Sequence, residues 1–263
     1  MNKKGLINFI TSFLSDAFSF YKNEEFVDQY EFEKIVSEVV SELTTNLREK
    51  KKVNFHEDGG ADKEVVIFER FDFVLKIPKV SGKREIEIYE SAVKNGFGDY
   101  FVETKEIFET MIGDKVVIAY LQKKINFSKS CYGRNYVFWD SISEMQRQEI
   151  SNFYDEIKQY KVYLKDGSTS SIFKDIELAQ FLYFLNETKR NDFINFVLEE
   201  KINDLHSNNF IYYPGTNKLL IFDYSGYDSS GLYEDEYEDN YDDYSYSHIY
   251  PSDYRNFSSK DYE

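Results

Sequence analysis

Residues 202–226 hold the pattern that most restricts what this chain can fold into. Asp204-Leu205-His206-Ser207-Asn208-Asn209 leads into Ile211-Tyr212-Tyr213, then Pro214-Gly215-Thr216-Asn217, then Leu219-Leu220-Ile221-Phe222, and the run closes on Asp223-Tyr224-Ser225-Gly226. Two short apolar runs broken by a Pro-Gly turn predict strand, turn and strand. Such a hairpin reverses the chain and folds the acid at 223 back beside the acid at 204. The bland alternative is a surface loop that happens to carry acidic residues. The spacing, the hairpin and the apolar flanks together oppose it.

This acid–amide–acid set resembles the catalytic and metal-binding loops of the protein-kinase-like superfamily. The Asp-Leu-His-x-x-Asn form is closer to the aminoglycoside phosphotransferase and small atypical-kinase branch than to ordinary Ser/Thr kinases, which usually carry Lys where His206 stands. The resemblance implies roles. Asp204 would receive or orient the proton of the substrate hydroxyl, Asn209 and Asp223 would hold magnesium, and ATP would be the phosphoryl donor. His206 reads as a structural loop residue, because Asp204 fits the base better. Ile202-Asn203 stands where the family has His-Arg, and without that Arg a phosphorylated activation loop loses its usual charge partner.

Upstream, Phe73-Val74-Leu75-Lys76-Ile77-Pro78 matches the strand that carries the family's ATP-contacting Lys, with Val65-Val66-Ile67-Phe68 as partner strand and Asp72 near the turn between them. A lysine on an edge strand is the plain alternative for Lys76. Asp58-Gly59-Gly60-Ala61 stands where the phosphate-covering loop belongs. The adjacent Gly59 and Gly60 let a backbone approach phosphate closely, although the motif is not GxGxxG and an ordinary hairpin tip reads equally well. Glu57, Asp58, Asp62 and Glu64 around it are expected to repel a triphosphate. In Lys83–Val93 the family pattern of a Glu followed by apolar residues three and four later selects Glu85, with Ile88 and Tyr89, as the ion-pair partner of Lys76. Glu87 is the runner-up, and a solvated helix face is the alternative for both. The helix has to begin almost at once after its strand. Asp99–Val102 leads into Lys105–Phe108, and after a Gly113-Asp114 turn Lys115–Leu121 completes the strands of an amino-terminal lobe. Gln122–Ile125 is then the hinge expected to meet adenine through its backbone.

At 263 residues the chain can bury a full core. Its single cysteine, Cys131, excludes an internal disulfide and suits a reducing, cytoplasmic compartment. Three histidines without ligand spacing give no zinc site. Apolar residues at Ile7, Ile10, Phe13, Leu14, Ala17 and Phe18 fall three or four apart and predict an amphipathic helix. Phe32–Leu47 repeats the pattern. Asn8, Asp16 and the want of a small-residue cleavage site argue against a signal peptide, and no run is apolar enough to span a bilayer. Further helices are expected over Met145–Lys161, Ile172–Thr188 and Asp192–Lys201, and Trp139 reads as an anchor of the lobe.

Residues 227–263 differ from all that precedes them. They hold eleven acids against Arg255 and Lys260, so they contribute −9 of the formal charge of −16 and leave the body at −7. Nine tyrosines and seven serines punctuate the acids, and aliphatic residues are nearly absent. Such a segment buries too little surface to offset its ordering entropy and is expected to be partly mobile. A solvating tail is the default reading. An autophosphorylation target, a ligand for a basic protein partner or nucleic-acid mimic, and a cover over the active site are the alternatives. The acidic balance opposes direct binding of nucleic acid.

These readings combine into an α+β, two-lobed, protein-kinase-like fold. Residues 1–50 form a helical extension, 51–121 the amino-terminal lobe, 122–226 a reduced carboxy-terminal lobe, and 227–263 the acidic tail. Little beyond Gly226 can build the usual later helices, so the carboxy-terminal lobe is expected to borrow the amino-terminal helices for its core. The function that follows is an ATP- and magnesium-dependent phosphotransferase acting on a protein hydroxyl, its own tail included. A catalytically inactive kinase-fold protein that binds partners through its acidic surface is the alternative, and a small-molecule kinase is a further one.

Overall fold

The computed structural model describes residues 1–23, 25–51, 53–59, 62–125, 142–163, 169–202, 205, 209–213 and 216–224. The chain divides into two compact units, Met1–Gly231 and Leu232–Glu263. The first holds every described residue. The second, with the rest of the acidic tail, lies outside them, as do Cys131 and Trp139.

Two capped helices open the chain. Helix α1 (Lys3–Ser19) starts where the Asn2 side chain accepts the Gly5 N–H at 2.8 Å, and α2 (Gln29–Lys50) where Asp28 accepts the Glu31 N–H at 2.7 Å. Such side chains satisfy backbone donors that the first turn leaves unpaired. Along α1 the buried residues Leu6, Ile10, Leu14 and Phe18 recur every fourth position, a single stripe. Along α2 the stripe is Phe32, Ile35, Val36, Val39, Val40, Leu43 and Leu47.

Both stripes face a sheet. Strands β1 (Phe55–Gly59), β2 (Lys63–Phe68) and β3 (Phe73–Pro78) form an antiparallel meander. Helix α3 (Arg84–Lys94) follows, then a 3₁₀ turn over Gly98–Tyr100, then β4 (Thr104–Ile112) and β5 (Lys115–Lys123). The order across the sheet is β1-β2-β3-β5-β4. Gly113, at φ 56°, turns the β4–β5 hairpin in a region that side chains rarely adopt. Alternation sorts the residues. Val66, Phe68, Phe73, Leu75 and Ile77 join the apolar stripes of α1 and α2 in one core, and the Phe18 and Phe108 rings stack at 5.9 Å. Lys63, Val65 and Lys76 take the opposite face, since Lys63 is paired with Pro78 and Val65 with Lys76 in the β2–β3 ladder. The expected loan of the amino-terminal helices to the carboxy-terminal lobe is therefore corrected. Their apolar stripes complete the sheet, whose outer face would otherwise be wet, and none of their residues enters the second core.

That second core is aromatic. It combines Ile88, Ala92, Phe97 and Phe101 with residues of α4 (Glu144–Ile157), α5 (Ile176–Tyr183) and α6 (Glu187–Glu199), and of the hairpin β8 (Phe210–Tyr213) and β9 (Lys218–Ile221). A short antiparallel pair, β6 (Lys161–Tyr163) and β7 (Thr169–Ser171), lies between α4 and α5. The helices depart from the expected boundaries. Lys161 enters a strand instead of ending a helix, and Ile172 and Phe173 are extended and fully buried, with Phe173 bridged to Leu205. The chain breaks at Asn186, whose side chain caps α6 by accepting the Lys189 N–H at 2.9 Å. An Asn at that point competes with helix continuation and favours a new start. The β8–β9 turn is fixed by Asn217, at φ 44°, which accepts the Tyr212 hydroxyl at 2.8 Å and donates to the Phe181 carbonyl at 3.3 Å. Asn is among the few residues that tolerate this conformation.

Among the described residues no helix is long and apolar enough to cross a membrane.

Candidate active site

The predicted hairpin forms and brings Asn209 and Asp223 together. The Asn209 carbonyl accepts the Phe222 N–H at 2.9 Å and the Asp223 N–H at 3.4 Å, and the Asn209 residue is buried. Asp223 is then locked from its other side. The Tyr224 ring is fully buried, meets the Phe101 ring edge-on at 5.1 Å, and its hydroxyl bonds to Thr104 Oγ1 at 2.6 Å and to the Val102 carbonyl at 3.2 Å. A Tyr in an aromatic core needs such partners for its hydroxyl. The Val102 N–H also donates to the Ile221 carbonyl at 2.8 Å, which ties β9 to the entry of β4. The Asp223 carboxylate is left about a third exposed at the end of this anchored segment.

Lys76 of β3 reaches towards the same place. Its ammonium lies 3.2 Å from Glu85 Oε1 and donates to the Phe222 carbonyl at 2.9 Å, one residue before Asp223. Of the two helical candidates, Glu85 is 4 % exposed and paired, whereas Glu87 faces solvent. The short link from β3 to α3 places Glu85 in the first turn of the helix, beneath the sheet.

Glu85 is the centre of a polar cluster larger than the sequence implied. Lys63 Nζ lies 3.2 Å from Glu85 Oε2 and 2.5 Å from Asp223 Oδ1. The Tyr120 hydroxyl donates to Glu85 Oε2, and the Gln122 amide donates to Glu85 Oε1 at 2.9 Å and to Thr104 Oγ1 at 3.3 Å. Burial by itself would push the Glu85 carboxyl up. The Lys63 and Lys76 ammoniums and the Tyr120 hydroxyl outweigh it and hold the pKa at about 2. Burial opposes the charge on Lys63, but the Glu85 and Asp223 carboxylates raise its pKa above the ordinary lysine range. The Tyr120 and Tyr224 hydroxyls are pushed well up, first by burial and then by the Glu85 carboxylate. At neutral pH Lys63 is therefore an ammonium, Glu85 a carboxylate, and Tyr120 and Tyr224 are neutral phenols.

Lys63, Tyr120, Gln122, Thr104 and Tyr224 had no motif to announce them. Gln122 was expected in the hinge, yet β5 runs on to Lys123, and Gln122 pairs with Val74 and Thr104 in the ladders. A lone amide after the apolar run Val116–Leu121 was the available signal. The expected repulsion from the acids near Gly59 is also reduced. Glu57 pairs with Arg48 at 2.9 Å, and Glu64 with Lys79 at 2.9 Å and the Ser37 hydroxyl at 2.8 Å. Gly59 ends β1. Asp204, His206 and Gly60 lie outside the described residues.

The residues present suit a magnesium nucleotide in donor type. An ammonium already sits on Asp223, marking that carboxylate as a cation acceptor, and two lysines on one sheet face supply the charge that phosphates require. Asp223 and Asn209 would hold the metal. Among the described residues no group of three or more His, Cys, Asp or Glu converges as a ready-made metal site.

No family model matches the chain, and neither does any curated protein sequence. Among solved structures, the streptomycin–ATP–APH(2″)-IIa ternary complex is similar over 70 % of each chain at 18 % identity, with a TM-score of 0.32. At that TM-score the likeness carries no argument beside this chain's own geometry. That geometry is an α+β fold with a five-stranded antiparallel sheet, a helix inserted between β3 and β4, and a buried Lys76–Glu85 pair beside a hairpin-borne Asp223. It agrees with the α+β architecture expected from the sequence.

Proposed function

We propose that the chain is an ATP- and magnesium-dependent phosphotransferase of the protein-kinase-like class. The observation that carries the reading is the Lys76 ammonium, held between Glu85 at 3.2 Å and the backbone carbonyl next to Asp223 at 2.9 Å. A lysine fixed in this way by a buried carboxylate is ready to meet phosphate oxygens without reorganising, which is how phosphoryl transfer is promoted. In this reading Asp223 and Asn209 hold magnesium, Asp204 orients the acceptor hydroxyl, and the backbone around Gly59 and Gly60 covers the phosphates. A metal held by Asp223 and Asn209 would supply charge neutralisation during the transfer. The protein's part is positioning. Tyr224 and the Asn209 carbonyl fix the Asp223 backbone, and Glu85 fixes Lys76.

The acceptor in this reading is a protein hydroxyl, the Tyr- and Ser-rich tail among them, with a small-molecule hydroxyl as the runner-up. The test is intact-mass spectrometry of the purified chain after incubation with magnesium and ATP, with Asp204→Ala and Asp223→Ala alongside. Mass gains in phosphoryl steps that vanish in both variants support a protein acceptor. ADP formation without mass gain redirects the reading to a small molecule. The absence of both mass gain and ADP formation refutes it.

A further inference from the structure

Lys63 is the feature that the proposed roles leave unexplained. It is a buried lysine at the start of β2, immediately beyond the glycine turn, and it is placed on the same sheet face as Lys76 by the β2–β3 register. The two ammoniums meet the two oxygens of Glu85, each at 3.2 Å. Lys63 alone extends further, to Asp223 Oδ1 at 2.5 Å. We propose that Lys63 is a second phosphate-contacting lysine which, before nucleotide arrives, takes the cation's place on Asp223.

The inference rests on the phosphotransferase reading and deepens it. The cluster of Lys63, Lys76, Glu85 and Asp223 is neutral as it stands. A free divalent cation cannot join Asp223 without displacing the Lys63 ammonium or setting two cations on one carboxylate. A magnesium nucleotide removes the conflict, because it brings phosphates to receive Lys63 together with a metal to receive Asp223. Lys63 can make that exchange while keeping Glu85 Oε2, 3.2 Å from its ammonium, as a partner. Gly59-Gly60-Ala61 carries no cation and is flanked by Glu57, Asp58, Asp62 and Glu64. Lys63 is the nearest residue in sequence able to supply one. Metal without nucleotide is thereby disfavoured, and metal with nucleotide is admitted.

The test measures two affinities of the full-length chain that move in opposite directions. Manganese is titrated without nucleotide and followed by electron paramagnetic resonance, the relevant site being the one lost in Asp223→Ala. Magnesium-ATP is titrated by calorimetry. In Lys63→Met, manganese is expected to bind about five- to tenfold tighter, because a competing ammonium is gone. Magnesium-ATP is expected to bind about ten- to a hundredfold weaker, because a charged phosphate contact is lost. Lys63→Arg should restore most of the nucleotide affinity. Lys63→Gln, which keeps a polar group beside Glu85, should repeat both shifts, and it replaces the Met variant should that one fail to fold. A merely structural lysine would weaken both ligands together, and that result overturns the proposal, as does unchanged nucleotide affinity. A wild-type chain that binds no ATP overturns the phosphotransferase reading instead, and the manganese arm then decides by itself whether Lys63 guards Asp223.

Discussion

Replacing Glu85 by Gln removes one charge and little volume from the centre of the polar cluster, so its effect can be worked out from the structure. The carboxylate receives Lys63, Lys76, Tyr120 and Gln122 and is 4 % exposed. A carboxyl held at about 2 in the fold against an ordinary 4.5 gains about 3 kcal/mol at neutral pH. Removing one member of a buried ion pair costs about 3–5 kcal/mol, because the partners remain buried and uncompensated. The two arguments agree, and Glu85→Gln is expected to lose about 3–5 kcal/mol at pH 7, a fall in Tm on the order of 10 °C. The sign with pH is also fixed. The folded pKa lies below the unfolded one, so the stabilisation is complete above about 4.5 and is lost as pH falls from there towards about 2. The gap between wild type and variant should therefore narrow over that window. Urea unfolding of both proteins, followed by far-UV circular dichroism from pH 7 down to pH 3, measures it. A gap under about 1 kcal/mol at pH 7, or one that does not narrow in acid, would refute the claim that Glu85 is a charged anchor.

Other expectations follow from the same geometry. Lys76→Met should weaken magnesium-ATP binding about tenfold or more in calorimetry, since the lysine contributes a charged contact, while its circular dichroism spectrum stays native. Tyr224→Phe leaves the ring in its aromatic core but strips the Thr104 and Val102 carbonyl bonds, and should cost about 1–3 kcal/mol in urea unfolding. Leu43→Ala should cost about 2–5 kcal/mol, the toll of a cavity in the core shared by α2 and the sheet. Removal of residues 1–50 should leave a chain without cooperative unfolding, because the sheet would expose Val66, Phe68, Leu75 and Ile77. Asn186→Ala should cost about 1 kcal/mol through the lost cap of α6.

Local patterns carried much of this fold in the sequence. Helices α1 and α2 were legible because their apolar residues repeat at helical spacing, and the sheet strands because β-branched and aromatic runs are set apart by turns. The β8–β9 hairpin was legible from Pro214-Gly215 between apolar runs, and Glu85 from the apolar residues three and four positions beyond it. The rest of the fold depends on contacts distant in sequence. Lys63 is an ordinary surface-type lysine until the β2–β3 register turns it onto the face of Lys76, and its partner Asp223 lies 160 residues away. The destination of the amino-terminal helices is a question of which apolar face needs covering, and no local pattern states that. The strands β6 and β7 were missed because three-residue pairings are too short for a period to emerge. Tyr224 looked like one more aromatic in a Tyr-rich chain, and only its packing against Phe101 reveals that it fixes Asp223.

The most direct measurement is ADP formation from ATP by the full-length chain with magnesium, compared with Asp223→Ala and Lys76→Met preparations whose circular dichroism is native. The account predicts ADP formation by the wild type that falls by at least about a hundredfold in either variant and disappears when magnesium is chelated. Equal turnover in wild type and Asp223→Ala, or none in a folded wild type that also fails to bind magnesium-ATP, would contradict it.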